Sequence, residues 1–292
     1  MASVSAIITT YKREPEIVKN AVKSAMEQTY PCVEIIVVDD NRDDKEGCEF
    51  SKKLEELCAE LSFRLIKTTD GKHGAQAARN TGIRAAVGDY VALLDDDDVW
   101  LNEKIEKQVA LLEERKDAAM AFCRGLKVVI GGESKEMHGK DFFSEVDYKM
   151  LLRGDCIGTT SQALIRKSAL DEVGYFDEDF PARQDYEMWV RISKKYPIVG
   201  VDEVLFHHII DIKDEQISRN WDKCIDGHSK LYKKYKADID ADRKAKFNVI
   251  FYMAHYNMCK KEYVKLLYYY AYAFLLSPAE FFNKGLIKLG LR

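Results

Sequence analysis

A chain of 292 residues with 47% apolar and 32% charged side chains can hold one large domain or a domain with an appendage, in an ordinary globular balance. Its formal net charge of −4 excludes a general nucleic-acid binder, because no basic excess is available to neutralise phosphates. The seven cysteines (Cys32, Cys48, Cys58, Cys123, Cys156, Cys224 and Cys259) are odd in number and contain no C-x-x-C pair, which excludes a disulfide frame or zinc site and predicts reduced thiols in a cytoplasmic protein. The N-terminus lacks a charged-then-apolar signal pattern, and no run of about 18 apolar residues predicts a spanning helix.

In chain order, Val4 to Thr9 reads as a buried strand followed by the loop Thr10-Tyr11-Lys12-Arg13. Pro15 at a first helical turn, with Ile17, Ala21, Val22 and Ala25, predicts an amphipathic helix. Glu34 to Asp39 is a second, continuously apolar strand, as parallel strands buried on both faces are. A helix is expected around Phe50 to Leu61, a third strand over Phe63 to Lys67, and an alanine-rich helix after Gly74, ended by Gly88. Tyr90 to Leu94 is a fourth strand and runs straight into Asp95, Asp96, Asp97 and Asp98. This alternation predicts right-handed βαβ units and a mostly parallel sheet.

The middle is less regular. Strands are expected at Ala118 to Arg124, Leu126 to Ile130, Gln162 to Ile165, Ile198 to Val201 and Val204 to His207. A polar cluster, Thr159-Thr160-Ser161, precedes the third of these, and a helix carrying Tyr186, Trp189, Val190 and Ile192 follows Asp185. From about Asp214 the pattern is helical. The expected division is therefore 1–212 and a helical region 213–292. The apolar stretch Leu266 to Leu276 is too short to span a bilayer. It either packs back on the rest of the chain or belongs to a peripheral membrane contact. Phe281, Phe282, Leu286, Ile287 and Leu289 with Lys284, Lys288 and Arg292 have the composition of an interfacial amphipathic helix.

Four adjacent carboxylates repel one another and are costly to bury unpaired. At the carboxyl end of a parallel strand they lie where open α/β sheets bind ligands. Alternate acids there can hold a hard cation that bridges to phosphates. The plainer alternative is a polar strand-to-helix loop in which one Asp caps the helix beginning near Asn102.

The pieces Ile-Ile-Thr-Thr-Tyr11, Val-Val-Asp-Asp-Asn41, Gly74-x-x-x-Ala-Arg-Asn-x-Gly82, Leu-Leu-Asp-Asp-Asp-Asp98, Gly-Tyr-Phe-Asp-Glu178 and Gln-Asp-Tyr-Glu-Met-Trp189, in this order, resemble the family 2 glycosyltransferases. The resemblance runs from about Val4 to Ser218. It implies a GT-A fold, α/β and Rossmann-like with a mostly parallel central sheet flanked by helices, here with a helical C-terminal appendage. It also implies an inverting glycosyltransferase that uses a nucleotide-sugar donor, UDP-linked, with Mn2+ or Mg2+.

The resemblance implies roles for residues. Thr9 and Tyr11 would line the nucleotide, Tyr11 by stacking on the base or else by packing its own loop. Asp39 would accept from a base N–H or cap the following turn. Arg79 would reach base or phosphate, or form a surface ion pair, while Asp40, Asn80 and Gly82 are structural. Asp97 is the expected metal ligand, with Asp95 or Asp96 on the ribose or as a second metal contact. Asp98 is expected to cap the next helix or face solvent. Asp185 is the expected catalytic base, or a helix N-cap, with Glu187 as fallback, although Gln184 stands where the family has Glu. Some relatives carry a late metal-ligating His. The matching position here is near Lys213, before Gln216-Ile-Ser218; His207 and His208 lie earlier and read as strand-end packing, with a metal role for either as the alternative. The Gln-x-x-Arg-Trp element of processive synthases is absent, so one sugar per encounter is expected.

The implied acceptor is a glycan or lipid-linked hydroxyl in surface-polysaccharide synthesis. A sugar-phosphate nucleotidyltransferase would need glycines in Thr9 to Glu14, which has none. A catalytically silent nucleotide-sugar-binding scaffold is the remaining alternative.

Overall fold

The computed structural model describes residues 2–69, 73–137, 142–211 and 220–288. Lys213, Gln216 to Ser218, Leu289 and Arg292 lie outside them, as do the side chains of Leu286, Ile287 and Lys288. In chain order the elements are β1 (Val4–Thr10), α1 (Pro15–Met26), β2 (Glu34–Asp39), α2 (Lys45–Leu61), β3 (Arg64–Lys67), α3 (Ala75–Ala85), β4 (Tyr90–Asp95), β5 (Val99–Trp100) and α4 (Lys104–Glu114). Then come β6 (Met120–Val129), β7 (Lys135–Glu136), β8 (Glu145–Val146), α5 (Tyr148–Arg153), a 3-10 turn (Thr160–Gln162), β9 (Leu164–Arg166), α6 (Lys167–Val173), α7 (Gln184–Ser193) and β10 (Ile198–Ile210). Five helices follow: α8 (Trp221–Lys234), α9 (Lys236–Ala241), α10 (Arg243–Cys259), α11 (Tyr263–Leu276) and α12 (Pro278–Lys288). The chain divides into two compact units, one of Met1–Asp147, Cys156–Glu178 and Met188–Asp214, the other of Tyr148–Asp155, Asp179–Glu187 and Glu215–Arg292.

The first unit is built on one sheet in the order β3-β2-β1-β4-β9-β6-β10-β5. Strands β3, β2, β1 and β4 run parallel, and β9 is antiparallel to both β4 and β6. The central parallel strands carry apolar side chains on both faces because helices cover both; Ile7, Ile8, Val37 and Leu94 are almost fully buried. Each such side chain contributes about 1.5–3 kcal/mol on burial. Helix α3 lies close on the sheet because residue 82 is glycine: a Cβ there would run into Ile7 Cγ2. Helix α2 starts at Lys45, earlier than expected, because the Asp44 carboxylate accepts from Gly47 N at 2.7 Å and caps it.

Three expectations in the middle are corrected. The strands predicted on either side of Gly125 are one strand, β6. Gly125 does not break it but leaves room for the Phe206 ring, which a Cβ would strike. The two predicted around Asp202-Glu203 are likewise one strand, β10, whose register against β6 shifts between Val201 and Phe206 in a bulge that absorbs the acid pair. Gln162 is not in a strand. It closes the 3-10 turn, with its side chain accepting from Thr159 N at 3.0 Å and donating to Cys123 O at 2.6 Å.

The second unit is helical. Asn220 caps α8 by accepting from Lys223 N at 3.1 Å. Asp242 caps α10 by accepting from Lys244 N and Ala245 N, and it also pairs with Arg153 at 2.8 Å. Phe247, Phe251, Tyr270 and Phe281 form a ring cluster with centroids 5.6–6.3 Å apart. In α11 only Ala273 is buried, although the helix is rich in aromatics. No helix among the described residues is long and apolar enough to cross a membrane.

Candidate active site

Strand register brings Thr9, Asp39 and Asp95 to one edge. Thr10 is paired with Asp39 across β1 and β2, and Thr9 with Asp95 across β1 and β4. The strand order 3-2-1-4 reverses at β1, so these carboxyl ends frame a topological switch point, the usual ligand crevice of an open α/β sheet. Tyr11 stands 47% exposed at the end of β1, its ring approached by Lys12.

Asp39 is almost wholly buried, and both its oxygens are engaged. Oδ1 accepts from Asn41 N at 2.9 Å and Asn41 Nδ2 at 2.7 Å, and Oδ2 from Ser51 Oγ at 2.5 Å. The carboxylate thus shapes the turn after β2, whatever further contact it makes. Asp40 accepts from Gly74 N at 2.8 Å and so anchors the start of α3, where Gly74 has φ +116°. Asn80 is clamped to the backbone of Phe176 by two 2.9 Å bonds, which fastens the Gly-Tyr-Phe-Asp-Glu turn to α3.

The acid run is not uniform. Asp98 N donates to Asp95 O at 3.1 Å, closing a tight turn into β5. Around this turn exposure alternates, Asp95 and Asp97 half-buried, Asp96 and Asp98 buried. Asp98 neither caps α4, which starts without a side-chain cap, nor faces solvent. Its oxygens accept from Ser161 Oγ at 2.6 Å and Ile209 N at 3.1 Å, and its Oδ1 lies 2.9 Å from His208 Nδ1. Burial disfavours charge on His208, but Asp98 outweighs it and raises the imidazole above its ordinary value. His208 is therefore the partner of a buried acid, and His207 pairs in register with Val99.

Arg79 is buried, with Nη2 2.6 Å from Asp95 Oδ1, in place of the surface pair that was one expectation. Its Nη1 is buried with no hydrogen-bond partner among the described residues. Burial works against charge on Asp95, yet Arg79 and then the Thr160 hydroxyl, 3.0 Å away, hold the carboxyl below its ordinary value. The neighbours go the other way. Burial lifts Asp96 to about 6 against the pull of Arg13. Burial together with Asp98, Asp95 and Asp96 lifts Asp97 to about 7.

Sequence reasoning missed two contributors. Arg13 reaches across from the β1 loop, Nε 3.2 Å from Asp96 and Nη2 2.9 Å from Asp97. Thr160 and Ser161, noted as a polar cluster, bond Asp95 and Asp98. The available signal was a basic residue just past a strand that ends beside four acids.

No cage of three or more His, Cys, Asp and Glu side chains is preassembled among the described residues. A Mg2+-type ion does not need one, since it takes one or two carboxylates with phosphate oxygens and waters. The half-buried Asp97 and Asp95, all hard oxygen donors on alternate residues, fit that demand.

A family model for glycosyl transferase family 2 matches residues 5–174, more than half of the chain. The chain belongs to glycosyl transferase family 2. This glycosyltransferase is 31% identical over 208 residues to the Escherichia coli UDP-Glc:alpha-D-GlcNAc-diphosphoundecaprenol beta-1,3-glucosyltransferase WfaP, covering 67% of this chain and 72% of the relative. It is 28% identical over 228 residues to WfgD of Escherichia coli, which carries the same enzyme name, covering 75% and 84%. Among solved structures it is similar to Pyrobaculum calidifontis mannosyltransferase PcManGT in complex with GDP-Man and Mn2+ (TM-score 0.62, 18% identity, covering 100% and 81%). It is also similar to S. aureus TarS 1–349 in complex with UDP-GlcNAc (TM-score 0.59, 16% identity, covering 88% and 81%). The fold of the transferase is GT-A.

In the second unit Asp185 is the second residue of α7, half-buried, with Oδ1 accepting from Tyr186 N at 2.8 Å. The residue two before it, Arg183, has φ +64° and donates to Tyr256 OH at 2.7 Å. Glu187, the fallback base, is fully buried and held by Tyr235 OH at 2.9 Å and Lys234 Nζ at 3.0 Å.

Proposed function

We propose that the transferase is an inverting, metal-dependent enzyme that moves one sugar per encounter from a UDP-sugar to a hydroxyl of a glycan or lipid-linked acceptor, in surface-polysaccharide synthesis. The observation that carries the reading is the switch-point edge, where Thr9 pairs with Asp95 and its neighbour Thr10 with Asp39, and where the buried Arg79 Nη1 has no acceptor among the described residues. Thr9, Tyr11, Asp39 and Arg79 would hold the nucleotide, Asp95 and Asp96 the ribose side, and Asp97 with Asp95 the Mn2+ or Mg2+. That ion would supply neutralisation of the diphosphate leaving group. Asp185 would take the proton of the acceptor hydroxyl as its oxygen attacks the anomeric carbon from the face opposite the diphosphate, turning an α-linked donor into a β-glycoside. The glycosyltransferase region is read as 1–212 with 213–292 a helical region. The names of WfaP and WfgD, both UDP-Glc enzymes acting on a diphosphoundecaprenol-linked sugar, support the donor and acceptor class.

The C-terminal helices are read as a peripheral contact with the cytoplasmic face of the membrane. Val264, Leu267, Tyr268 and Leu275 of α11 and Phe282 of α12 are exposed apolar groups at helical spacing.

The test is a thermal-shift screen of UDP-, GDP- and dTDP-sugars with Mn2+, followed by donor hydrolysis. A UDP-sugar should raise the melting temperature, since a ligand bound only by the folded state stabilises it. Asp97→Ala should remove both the shift and the hydrolysis. If no nucleotide sugar shifts the wild type, or if Asp97→Ala hydrolyses donor at the wild-type rate in EDTA, the reading is wrong.

A further inference from the structure

Arg13 is held at the acid run by a chain of contacts that begins on the neighbouring strand. Asp39 fixes the Asn41 side chain through its Nδ2 at 2.7 Å. Asn41 Oδ1 in turn accepts from Lys12 N at 2.7 Å. That bond pins Lys12 in a left-handed backbone conformation, φ +48°, which side-chain-bearing residues seldom adopt. The turn so made points the next residue across β1 toward β4, and the Arg13 guanidinium meets Asp96 at 3.2 Å and Asp97 at 2.9 Å. Residue 14 is already the N-cap of α1 and Pro15 its first residue, so the loop is fixed on both sides of Arg13. Strain kept by a dedicated side-chain bond implies that something depends on the position it sets.

We propose that Arg13 is the internal counter-cation of the acid run and exchanges Asp97 for the donor diphosphate when a divalent cation takes that carboxylate. The inference rests on the reading of this edge as a nucleoside-diphosphate-sugar site and adds a residue to it. The physical reason is charge. A guanidinium and a dication repel each other at one carboxylate, whereas the diphosphate offers Arg13 several oxygens in the planar fork geometry it fits best. Because its backbone is pinned through Asn41, Arg13 changes partner by side-chain rotation alone. The same chain of contacts ties the β2 turn that Asp39 shapes to the diphosphate end, so the two ends of the nucleotide site are built on one scaffold.

The test is calorimetric titration of the wild type, Arg13→Met and Arg13→Lys with two probes, Mn2+ alone and then UDP or GDP in saturating Mn2+. In Arg13→Met, Mn2+ alone should bind about tenfold tighter, because its competitor is gone, and the nucleoside diphosphate about tenfold weaker, the range of one charge-assisted hydrogen bond. Arg13→Lys keeps the charge but not the fork. It should fall between the two in both titrations, and it preserves the test if the Met variant does not fold. Unchanged Mn2+ affinity would overturn the counter-cation role. Tighter Mn2+ with unchanged diphosphate affinity would overturn the exchange. A wild type that binds neither diphosphate with Mn2+ would remove the site reading itself, and the inference with it, and is recognised because it shows before any variant is compared.

Discussion

The acid run at the end of β4 and the outer face of α11 place opposite groups against their usual solvents. The first buries carboxylates, and the second exposes Val264, Leu267, Tyr268 and Leu275. In the first, the buried members have assigned partners: Asp98 has Ser161, His208 and Ile209 N, and Asp96 has Arg13. Such partners offset a desolvation cost of several kcal/mol per ion. On the second, the exposed side chains cost little singly, but as a strip on one helix they form a surface that water wets poorly. The buried polar group and the exposed apolar strip are each informative because each runs against the default partition.

The largest effect is expected at Asp185, the one acid of the second unit given a chemical task. Asp185→Asn keeps the shape and the hydrogen bond to Tyr186 N but removes the proton acceptor, so turnover at saturating donor should fall by about 10²–10⁴. Its melting temperature and donor affinity should stay near wild type. Full activity would leave Asp185 as a residue of the α7 first turn only, and Glu187 does not replace it, being buried and paired.

Next comes Asp98, which separates partnered burial from mere burial. Asp98→Ala strands His208 and Ile209 N beside a cavity, and chemical denaturation should show a loss of about 3–5 kcal/mol, the cost of breaking a buried pair. A loss below about 1 kcal/mol, within the range of an exposed pair, would mean that the acid is solvated in solution.

Lys104 is the counter-case inside the first unit: a fully buried amine whose contacts are the Gln108 amide oxygen at 2.8 Å and the Trp100 ring. Burial lowers it from 10.5 to about 8. Between those values the unfolded chain binds more protons than the folded one, so stability should rise as pH goes from about 8 to 10.5. Lys104→Met should flatten that rise and add about 1–3 kcal/mol at pH 7, the pKa displacement less the bond to Gln108. Urea melts across pH check both.

The smallest effect on stability is expected on the α11 face. Leu267→Glu with Leu275→Glu should change folding stability by no more than about 0.5 kcal/mol each, as exposed sites do. The same pair should reduce sedimentation with anionic vesicles severalfold. Equal sedimentation of variant and wild type would remove the membrane reading and leave the strip a plain surface.

The parallel half of the sheet was legible because its central strands carry mostly continuous apolar runs, and strand ends can be read directly where the pattern stops at Thr9, Asp39 and Asp95. The middle was less so. Gly125 reads as a break in sequence, yet it is a glycine required by the Phe206 ring from β10, a strand more than seventy residues away. The run of four acids marked a candidate site, but not which of the acids are half-buried and which are buried. That choice follows the tight turn from Asp95 O to Asp98 N, which sends alternate side chains in and out.

Local pattern, then, determined the fold class, the helical tail, the family and the residues at the sheet edge, because hydrophobic period and strand-end chemistry are short-range properties. Tertiary structure alone decided that Asp98 is a buried partner of His208, that Arg79 keeps an unsatisfied donor beside Asp95, and that Arg13 lies on the acids. Each of those outcomes depends on strands or loops distant in sequence being brought within hydrogen-bond reach, where burial and charge are balanced by neighbours that no window of sequence contains.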